Sequence, residues 1–203
     1  ANSFNFDFSL FHANGEAVKA SYAGHTWDSA EFAARFQQAS EQLEFLGRPL
    51  HKLAPGHYRA YLAPAALEEI IDLITWGGFS AQAIASKGSS LQKLYAGEQS
   101  LSPLVTVNEQ VSGSLSEAFS SEGYPRGDVT LINAGRAQGE LINSRSAAEY
   151  GLSTNGASSD ESPSALQMAA GSLAQADILK QLGTGLYISN LWYLNYSDLP
   201  AAR

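Results

Sequence analysis

Apolar and polar residues alternate at the start of the chain. From Phe4 to Leu10 every second side chain is apolar, and the positions between them carry asparagine, aspartate and serine. A period of two residues is typical of a strand with one buried face. Asn14 and Gly15 then give a strong turn signal, and residues 15–24 suit a return strand. The pattern predicts an N-terminal β-hairpin.

A helical spacing of apolar residues follows the hairpin. Asp28 with Glu31 three residues later fits a capping arrangement at the start of a helix. Gly47 followed by Pro49 is typical of a helix end. The apolar residues between these signals are Phe32, Phe36, Ala39, Leu43 and Leu46. The sequence therefore predicts a long amphipathic helix in this region.

A second amphipathic helix is predicted from Pro64 to Gly77, after a short strand over residues 57–62. Its apolar face carries Leu67, Ile70, Ile71 and Ile74. Glu68 and Asp72 lie four residues apart on the other face, where such a pair could form half of a metal site. However, the helix contains no histidine or cysteine, and acids near a helix N-terminus are stabilised by the helix dipole. An ordinary solvated helix face is the favoured interpretation of these residues.

The second half of the chain has short apolar runs separated by glycine- and serine-rich connections. The predicted strands are residues 103–109, 128–134, 137–143 and 185–194. Ala134 and Gly135 indicate a hairpin turn between the middle two strands. Residues 153–164 are predicted to form a loop that is too polar to pack. Strands, helices and then further strands predict an α+β fold, with a mostly antiparallel twisted sheet and a few amphipathic helices.

Composition narrows the possible functions. The chain carries 12 basic and 20 acidic residues and no basic run, which argues against nucleic-acid binding and against attraction to anionic membranes. It has no cysteine, which excludes disulfides, thiolate nucleophiles and cysteine-bound zinc within these residues. No apolar run approaches the roughly 20 residues that span a bilayer. A soluble cytoplasmic protein is the default expectation. Because Ala1 stands where a methionine is usual, a partial or processed sequence is expected.

No catalytic motif is apparent in the sequence. The four histidines do not pair at the i, i+4 spacing that places two imidazoles on one helix face. Neither a phosphate-binding glycine loop nor a GxSxG nucleophile turn is present, although a dispersed Ser/His/Asp arrangement stays open because serines are abundant. The residues by themselves indicate an α+β domain without a visible catalytic centre.

The order of four segments resembles the TldD/PmbA family, whose members are linked to peptide processing. The segments are residues 51–67 (HKLAPGHYRAYLAPAAL), 86–109 (SKGSSLQKLYAGEQSLSPLVTVNE), 121–156 (SEGYPRGDVTLINAGRAQGELINSRSAAEYGLSTNG) and 183–194 (GTGLYISNLWYL). The resemblance implies a C-terminal domain of that family over residues 51–203, truncated at its end. Residues 1–50 would then be a hairpin and connecting helix at the end of an N-terminal domain.

The resemblance also bears on metal binding. TldD-type members carry an HExxxH zinc motif on the helix after the PGxY strand, whereas PmbA-type members, also called TldE, lack the metal ligands. Alignment with the motif places Asp72 at the first histidine, Leu73 at the glutamate and Gly77 at the second histidine. None of these residues suits its role. The resemblance therefore implies a TldE-like chain without a cofactor, with zinc expected only in a TldD-like partner.

The function implied by the resemblance is that of a non-metal subunit that assembles with a TldD-like zinc peptidase or with itself. It would help to process unfolded peptides, which bind by adding a strand to an exposed sheet edge. The candidate peptide-binding residues are Ser153, Thr154, Asn155, Gly156, Gly185, Leu186, Tyr187 and Ile188. An interior position for the last strand, residues 185–190, is an equally open interpretation. The alternative function is a stand-alone homodimeric peptide-binding or scaffold protein. Descriptions of the family as modulators of DNA gyrase imply at most an indirect link to nucleic acid here, because the net charge is −8.

Overall fold

A computed structural model describes residues 2–199 and 201. The chain divides into two compact units, the first ending at Gly56 and the second beginning at His57. The boundary inferred from the family resemblance, between residues 50 and 51, lies a few residues earlier. No helix of the described residues is long and apolar enough to cross a membrane.

The first unit contains the predicted hairpin and helix. Strands β1 (Phe4–Phe11) and β2 (Ala17–Gly24) pair antiparallel, and helix α1 spans Ser29–Leu46. The Asp28 side chain caps α1 by accepting hydrogen bonds from the backbone N–H groups of Ala30 (2.8 Å) and Glu31 (3.3 Å). The sequence prediction for this unit is confirmed.

Aromatic rings join the hairpin to the helix in the first unit. Phe8 of β1 lies 5.6 Å from Phe32 and 5.9 Å from Phe36, centroid to centroid, so two successive turns of α1 contact the same strand residue. Further ring contacts involve Phe4, Phe6, Tyr22 and Trp27. The alternation seen in the sequence is thus the inner face of the hairpin.

The second unit contains two sheets and several short helices. Its elements are β3 (Ala60–Leu62), α2 (Pro64–Thr75), α3 (Ala81–Ala85), α4 (Gln92–Tyr95), β4 (Val107–Glu109), β5 (Val129–Asn133), β6 (Arg136–Ala137), α5 (Ser144–Tyr150), β7 (Leu166–Met168), a 3₁₀ turn (Gln175–Asp177), α6 (Ile178–Leu182) and β8 (Leu186–Ile188). Strands β6, β5, β4 and β7 form an antiparallel sheet in that order, and β3 pairs with β8 in parallel. The α+β, mostly antiparallel fold class is confirmed.

The turn between β5 and β6 follows the sequence prediction. Ala134 and Gly135 both have positive φ, 46° and 78°, as a two-residue type I′ hairpin turn requires. Gly135 also packs against the chain before β4, since a Cβ at this position would lie 2.3 Å from the carbonyl oxygen of Leu101. Glycine is therefore needed here both for its backbone conformation and for this close approach.

The core of the second unit lies between the four-stranded sheet and the segment that follows α2. Its buried members are Phe79, Leu94, Val107, Leu131, Ile132, Leu141 and Ala157, with Ile74 of α2 packed against them. The sharp exit from α2 depends on Gly78, where a Cβ would lie 2.1 Å from the carbonyl oxygen of Ile74. This exit places Phe79 and Ser80 inside the unit.

Several sequence predictions for the second unit need correction. The strand predicted over residues 137–143 is limited to Ala137 at the end of β6, and Leu141 instead forms an isolated bridge to Ser80. The strands predicted over 57–62 and 185–194 are shorter, because only three residues of each find a partner. The prediction that residues 153–164 are too polar to pack is wrong, since Gly156, Ala157 and Glu161 are buried.

Candidate functional site

Strand β8 provides an open sheet edge. Leu186 donates its N–H to the carbonyl of Arg59 (2.9 Å), and Ala63 donates to the carbonyl of Ile188 (2.9 Å). Because backbone groups alternate along a strand, the N–H and carbonyl of Tyr187 point away from β3. Within the part of the chain that the structure describes, β3 is the sole strand paired with β8. Tyr187 therefore carries the outward-facing backbone of the predicted edge.

Two tyrosines cover this strand pair. The rings of Tyr61 on β3 and Tyr187 on β8 are stacked, with centroids 5.3 Å apart. Burial raises the pKa of Tyr187, and the neighbouring Tyr61 raises it further. Gly185 packs closely at the start of the strand, since a Cβ there would lie 2.7 Å from the carbonyl oxygen of Arg59. The side chains hold the pair together, while the backbone edge stays open.

The other predicted peptide-binding segment, Ser153 to Gly156, is held by internal bonds. The Asn155 side chain accepts from the N–H of Ile142 (2.9 Å) and donates to the carbonyl of Glu140 (2.8 Å), and Thr154 donates its hydroxyl to the carbonyl of Ile142 (2.8 Å). Gly156 packs so tightly that a Cβ would lie 2.2 Å from the carbonyl of Pro125. Ser153 is the one exposed member of this segment. No hydrogen bond between this segment and β8 is seen among the described residues.

A buried carboxylate, that of Glu161, anchors the same loop. One oxygen accepts from the Ser80 hydroxyl (2.6 Å) and the Gln82 N–H (2.9 Å), and the other accepts from the Asn143 N–H (3.0 Å). The residue is 2% exposed and has a positive φ of 53°. These bonds tie the loop to the start of α3 and to the start of α5.

The pKa of Glu161 reflects these bonds. Burial raises the pKa of this carboxyl, but hydrogen bonds from Ser80, Asn143 and Gln82 outweigh burial and lower it below its ordinary value. The neighbouring Glu140 shows the opposite: burial and then the charge of Glu161 raise its pKa. The charged form of Glu161 is therefore stabilised in the fold, whereas the charged form of Glu140 is disfavoured.

A Glu140→Gln substitution is expected to increase stability at neutral pH. A carboxyl with a raised pKa favours folding when it is protonated, and this contribution is lost as pH rises above its unfolded value of about 4.5. The glutamine variant should thus have a higher free energy of unfolding than the parent protein at pH 7 and an equal one near pH 3. Urea denaturation at the two pH values checks this. A lower stability of the variant at pH 7 would contradict it.

The residues that the family resemblance aligns with the zinc motif do not fit zinc. Asp72 is exposed on α2, Leu73 has no metal-binding atom, and Gly77 lies beyond the helix end with a positive φ of 73°. The described residues bring together no group of three or more histidine, cysteine, aspartate or glutamate side chains that could hold a metal ion. Zinc with the usual protein ligands therefore has no suitable donor set at this position.

Sequence reasoning missed the two acids that organise this part of the unit. Besides Glu161, the side chain of Glu109 on β4 is buried and forms an ion pair with Arg126 (3.0 Å). Glu109 also accepts hydrogen bonds from the N–H groups of Ser164 (3.0 Å) and Ala165 (3.1 Å). The Ser153–Ser164 loop is thus anchored within its length and at its end. Both acids lie in segments without a motif, so no local signal marked them.

Comparison with known proteins gives one family model and several solved structures. The model of the PmbA/TldA metallopeptidase C-terminal domain matches residues 55–200. No curated protein sequence matches the chain significantly. TldE from Thermococcus kodakarensis is similar in structure, with a TM-score of 0.73 at 14% identity, over 98% of this chain and 47% of that protein.

Two candidate modulators of DNA gyrase are also similar in structure. The protein from Thermotoga maritima has a TM-score of 0.72 at 19% identity, over 93% of this chain and 44% of its own length. The protein from Bacteroides thetaiotaomicron has a TM-score of 0.71 at 15% identity, over 98% and 45%. At these identities the likeness concerns the fold. The chain spans less than half the length of each of these structures.

Proposed function

Because the chain belongs to the PmbA/TldD family, we propose that it is the non-metal subunit of a peptidase system of this family. The observation that carries the proposal is the set of residues at the motif position on α2. The family resemblance aligns Asp72, Leu73 and Gly77 with the two histidines and the glutamate of the zinc motif, and no histidine follows His57 in these residues. In the proposed assembly, zinc chemistry belongs to a partner with an HExxxH motif.

The proposed contribution of this subunit is to hold an extended peptide. The outward-facing N–H and carbonyl of Tyr187 on β8 are suited to strand addition, in which the peptide backbone bonds to a sheet edge. Backbone bonds of this kind do not depend on the peptide sequence, which suits unfolded substrates. The Ser153–Gly156 segment would contribute through Ser153, whose side chain is exposed. We place this assembly in the cytoplasm.

The assembly is tested with the full-length protein and a relative that carries the HExxxH motif. Each protein alone and a mixture of both are analysed for zinc content and for cleavage of an unfolded peptide. The proposal predicts near-zero zinc in this protein, stoichiometric zinc in the co-purified complex, and cleavage that requires both chains. Unchanged cleavage by the relative alone would count against the proposal, and would favour the stand-alone homodimer.

The edge is tested with two variants of Tyr187 in that complex. Tyr187→Pro removes the outward N–H together with the stacked ring, and among the described residues that N–H bonds to no other strand. It is expected to raise the KM for peptide cleavage several-fold. Tyr187→Ala also removes the ring but keeps the backbone N–H, and it should leave KM nearly unchanged. An equal effect of both variants would place the role in the side chain and would refute strand addition at β8.

A further inference from the structure

The sequence contains two Asn-Gly pairs, Asn14-Gly15 and Asn155-Gly156. Asparagine is a chemically labile residue, and glycine after it has no side chain to hinder attack by its backbone nitrogen on the asparagine amide. The attack requires the asparagine side chain to turn towards the nitrogen of the glycine. The fold around each pair therefore decides whether that pair reacts.

The first pair lies in the exposed turn between β1 and β2. Both residues are exposed, and a Cβ on Gly15 would meet no atom within 4 Å. The Asn14 side chain accepts from the Glu16 N–H (3.1 Å) and donates to the Leu46 carbonyl (3.0 Å). The Gly15 N–H donates to the His12 carbonyl (3.0 Å). Because water can replace exposed hydrogen bonds at small cost, this turn can open locally while the rest of the unit stays folded.

The second pair is held in place by the fold. The Asn155 side chain accepts from the Ile142 N–H (2.9 Å) and donates to the Glu140 carbonyl (2.8 Å). Gly156 is buried, and a Cβ there would lie 2.2 Å from the carbonyl oxygen of Pro125. Rotation of the Asn155 amide would leave a backbone N–H and a backbone carbonyl without partners inside the unit, which is costly. The same dipeptide is thus free to react in one place and protected in the other.

We propose that Asn14 is a site of spontaneous deamidation in the folded protein, that Asn155 is not, and that the modification releases the hairpin turn from α1. The Gly15 backbone nitrogen attacks Cγ of Asn14, and the C–N bond of the side-chain amide breaks. The proton that Gly15 loses ends on the departing ammonia, and a succinimide ring remains. Water then opens the ring at either carbonyl, which gives aspartate or isoaspartate. Water is the only co-reactant.

The modification changes the contact between the turn and the end of α1. Leu46 is the last residue of α1, and its carbonyl has no partner within the helix, so the Asn14 amide caps it. Either product replaces this donor by a carboxylate beside the negative end of the helix dipole. The last turn of α1 holds no basic residue that would offset the charge. The turn and the helix end should therefore separate after deamidation.

The first test is the ageing of the full-length protein at pH 8, followed by peptide mapping with mass spectrometry that separates aspartate from isoaspartate. Residue 14 should convert to both products, while Asn155 stays unmodified over the same period. In urea, where the fold is lost, the two pairs should convert at similar rates. An unmodified Asn14, equal rates in the folded protein, or a difference that persists in urea would overturn the proposal.

The second test measures hydrogen exchange of the last turn of α1 in the full-length protein. Asn14→Asp introduces the charge of the product, and the amides of residues 43–47 should exchange several-fold faster than in the parent protein. Asn5→Asp is the matched control, because it adds the same charge at an exposed position of β1 remote from this turn, and it should leave exchange at 43–47 unchanged. Equal exchange in the two variants would overturn the proposed release of the turn from α1.

Discussion

Replacing Glu161 by glutamine is expected to lower the free energy of unfolding by about 3 kcal/mol. The carboxylate accepts from Ser80 and Gln82 on one oxygen and from Asn143 on the other. In glutamine one of these oxygens becomes an NH₂ group, and either orientation sets that group against a backbone N–H that needs an acceptor. A buried donor without a partner is costly, and the bonds lost are to a charged group.

Asp160 provides the matched control for this prediction. It precedes Glu161 in the same loop but is exposed, so Asp160→Asn should change stability by less than about 1 kcal/mol. The two variants are compared by urea denaturation at pH 7. An equal loss in both would mean that the loop, rather than the buried carboxylate, determines the effect.

The Glu161 variant also predicts a change in pH dependence. A carboxyl with a lowered pKa contributes stability above its unfolded value of about 4.5, and this contribution is lost as pH falls through its folded pKa. The difference in stability between the parent protein and Glu161→Gln should therefore shrink as the pH is lowered from 7 towards 3. A difference that stays constant over this range would show that the ionised carboxylate is not the stabilising species.

Replacing Glu109 by alanine is expected to cost about 3–5 kcal/mol of stability. The substitution leaves Arg126, whose side chain is 10% exposed, without its ion-pair partner. It also removes the acceptor of the N–H groups of Ser164 and Ala165, at the point where the chain enters β7. The loss is measured by urea or thermal unfolding.

A double-mutant cycle separates the ion pair from the other bonds of Glu109. Arg126→Ala removes the unpaired charge, so Glu109→Ala with Arg126→Ala should cost less than the sum of the two single substitutions. Glu117 is an exposed glutamate that lies between Glu109 and Arg126 in the sequence, and Glu117→Ala should leave the stability almost unchanged. Additive effects of the two single substitutions would contradict a role for the pair itself.

Local patterns predicted those elements that local interactions stabilise. The β1–β2 hairpin has its turn signal and its alternation, α1 has its Asp28 cap, and α2 has Pro64 and Gly77 at its ends. The Ala134-Gly135 turn is specified by two residues alone. Helix α5 could also have been found, because Asn143 caps its start and Gly151, with a φ of 69°, ends it.

The missed features depend on partners far away in sequence. A serine-rich loop with two adjacent acids is normally solvated, but polar groups can be buried where each finds a hydrogen-bond partner. Those partners, such as Ser80 for Glu161, cannot be read from the loop itself. Strand β7, which was not predicted, has three residues, so its conformation is set by β4 rather than by its own propensity. Strand β8 was predicted, but pairing with β3 limits it to three residues. The order of the predicted strands and helices supplied the fold class, and the family resemblance implied the C-terminal domain, but neither indicated these contacts.

The anchoring of the Ser153–Ser164 loop has a consequence for the order of folding. Glu161 accepts hydrogen bonds from Ser80 and Gln82, which lie 81 and 79 positions earlier in the chain. Glu109 accepts hydrogen bonds from Ser164 and Ala165, which lie 55 and 56 positions later. Such contacts close long loops and tend to form after the local hairpins and helices. Substitutions at Glu161 and Glu109 should therefore accelerate unfolding and leave the folding rate almost unchanged, with φ-values near zero. The buried hydrogen bonds of Glu161 and Glu109 would then form late in folding and slow unfolding, and they would not belong to the folding nucleus.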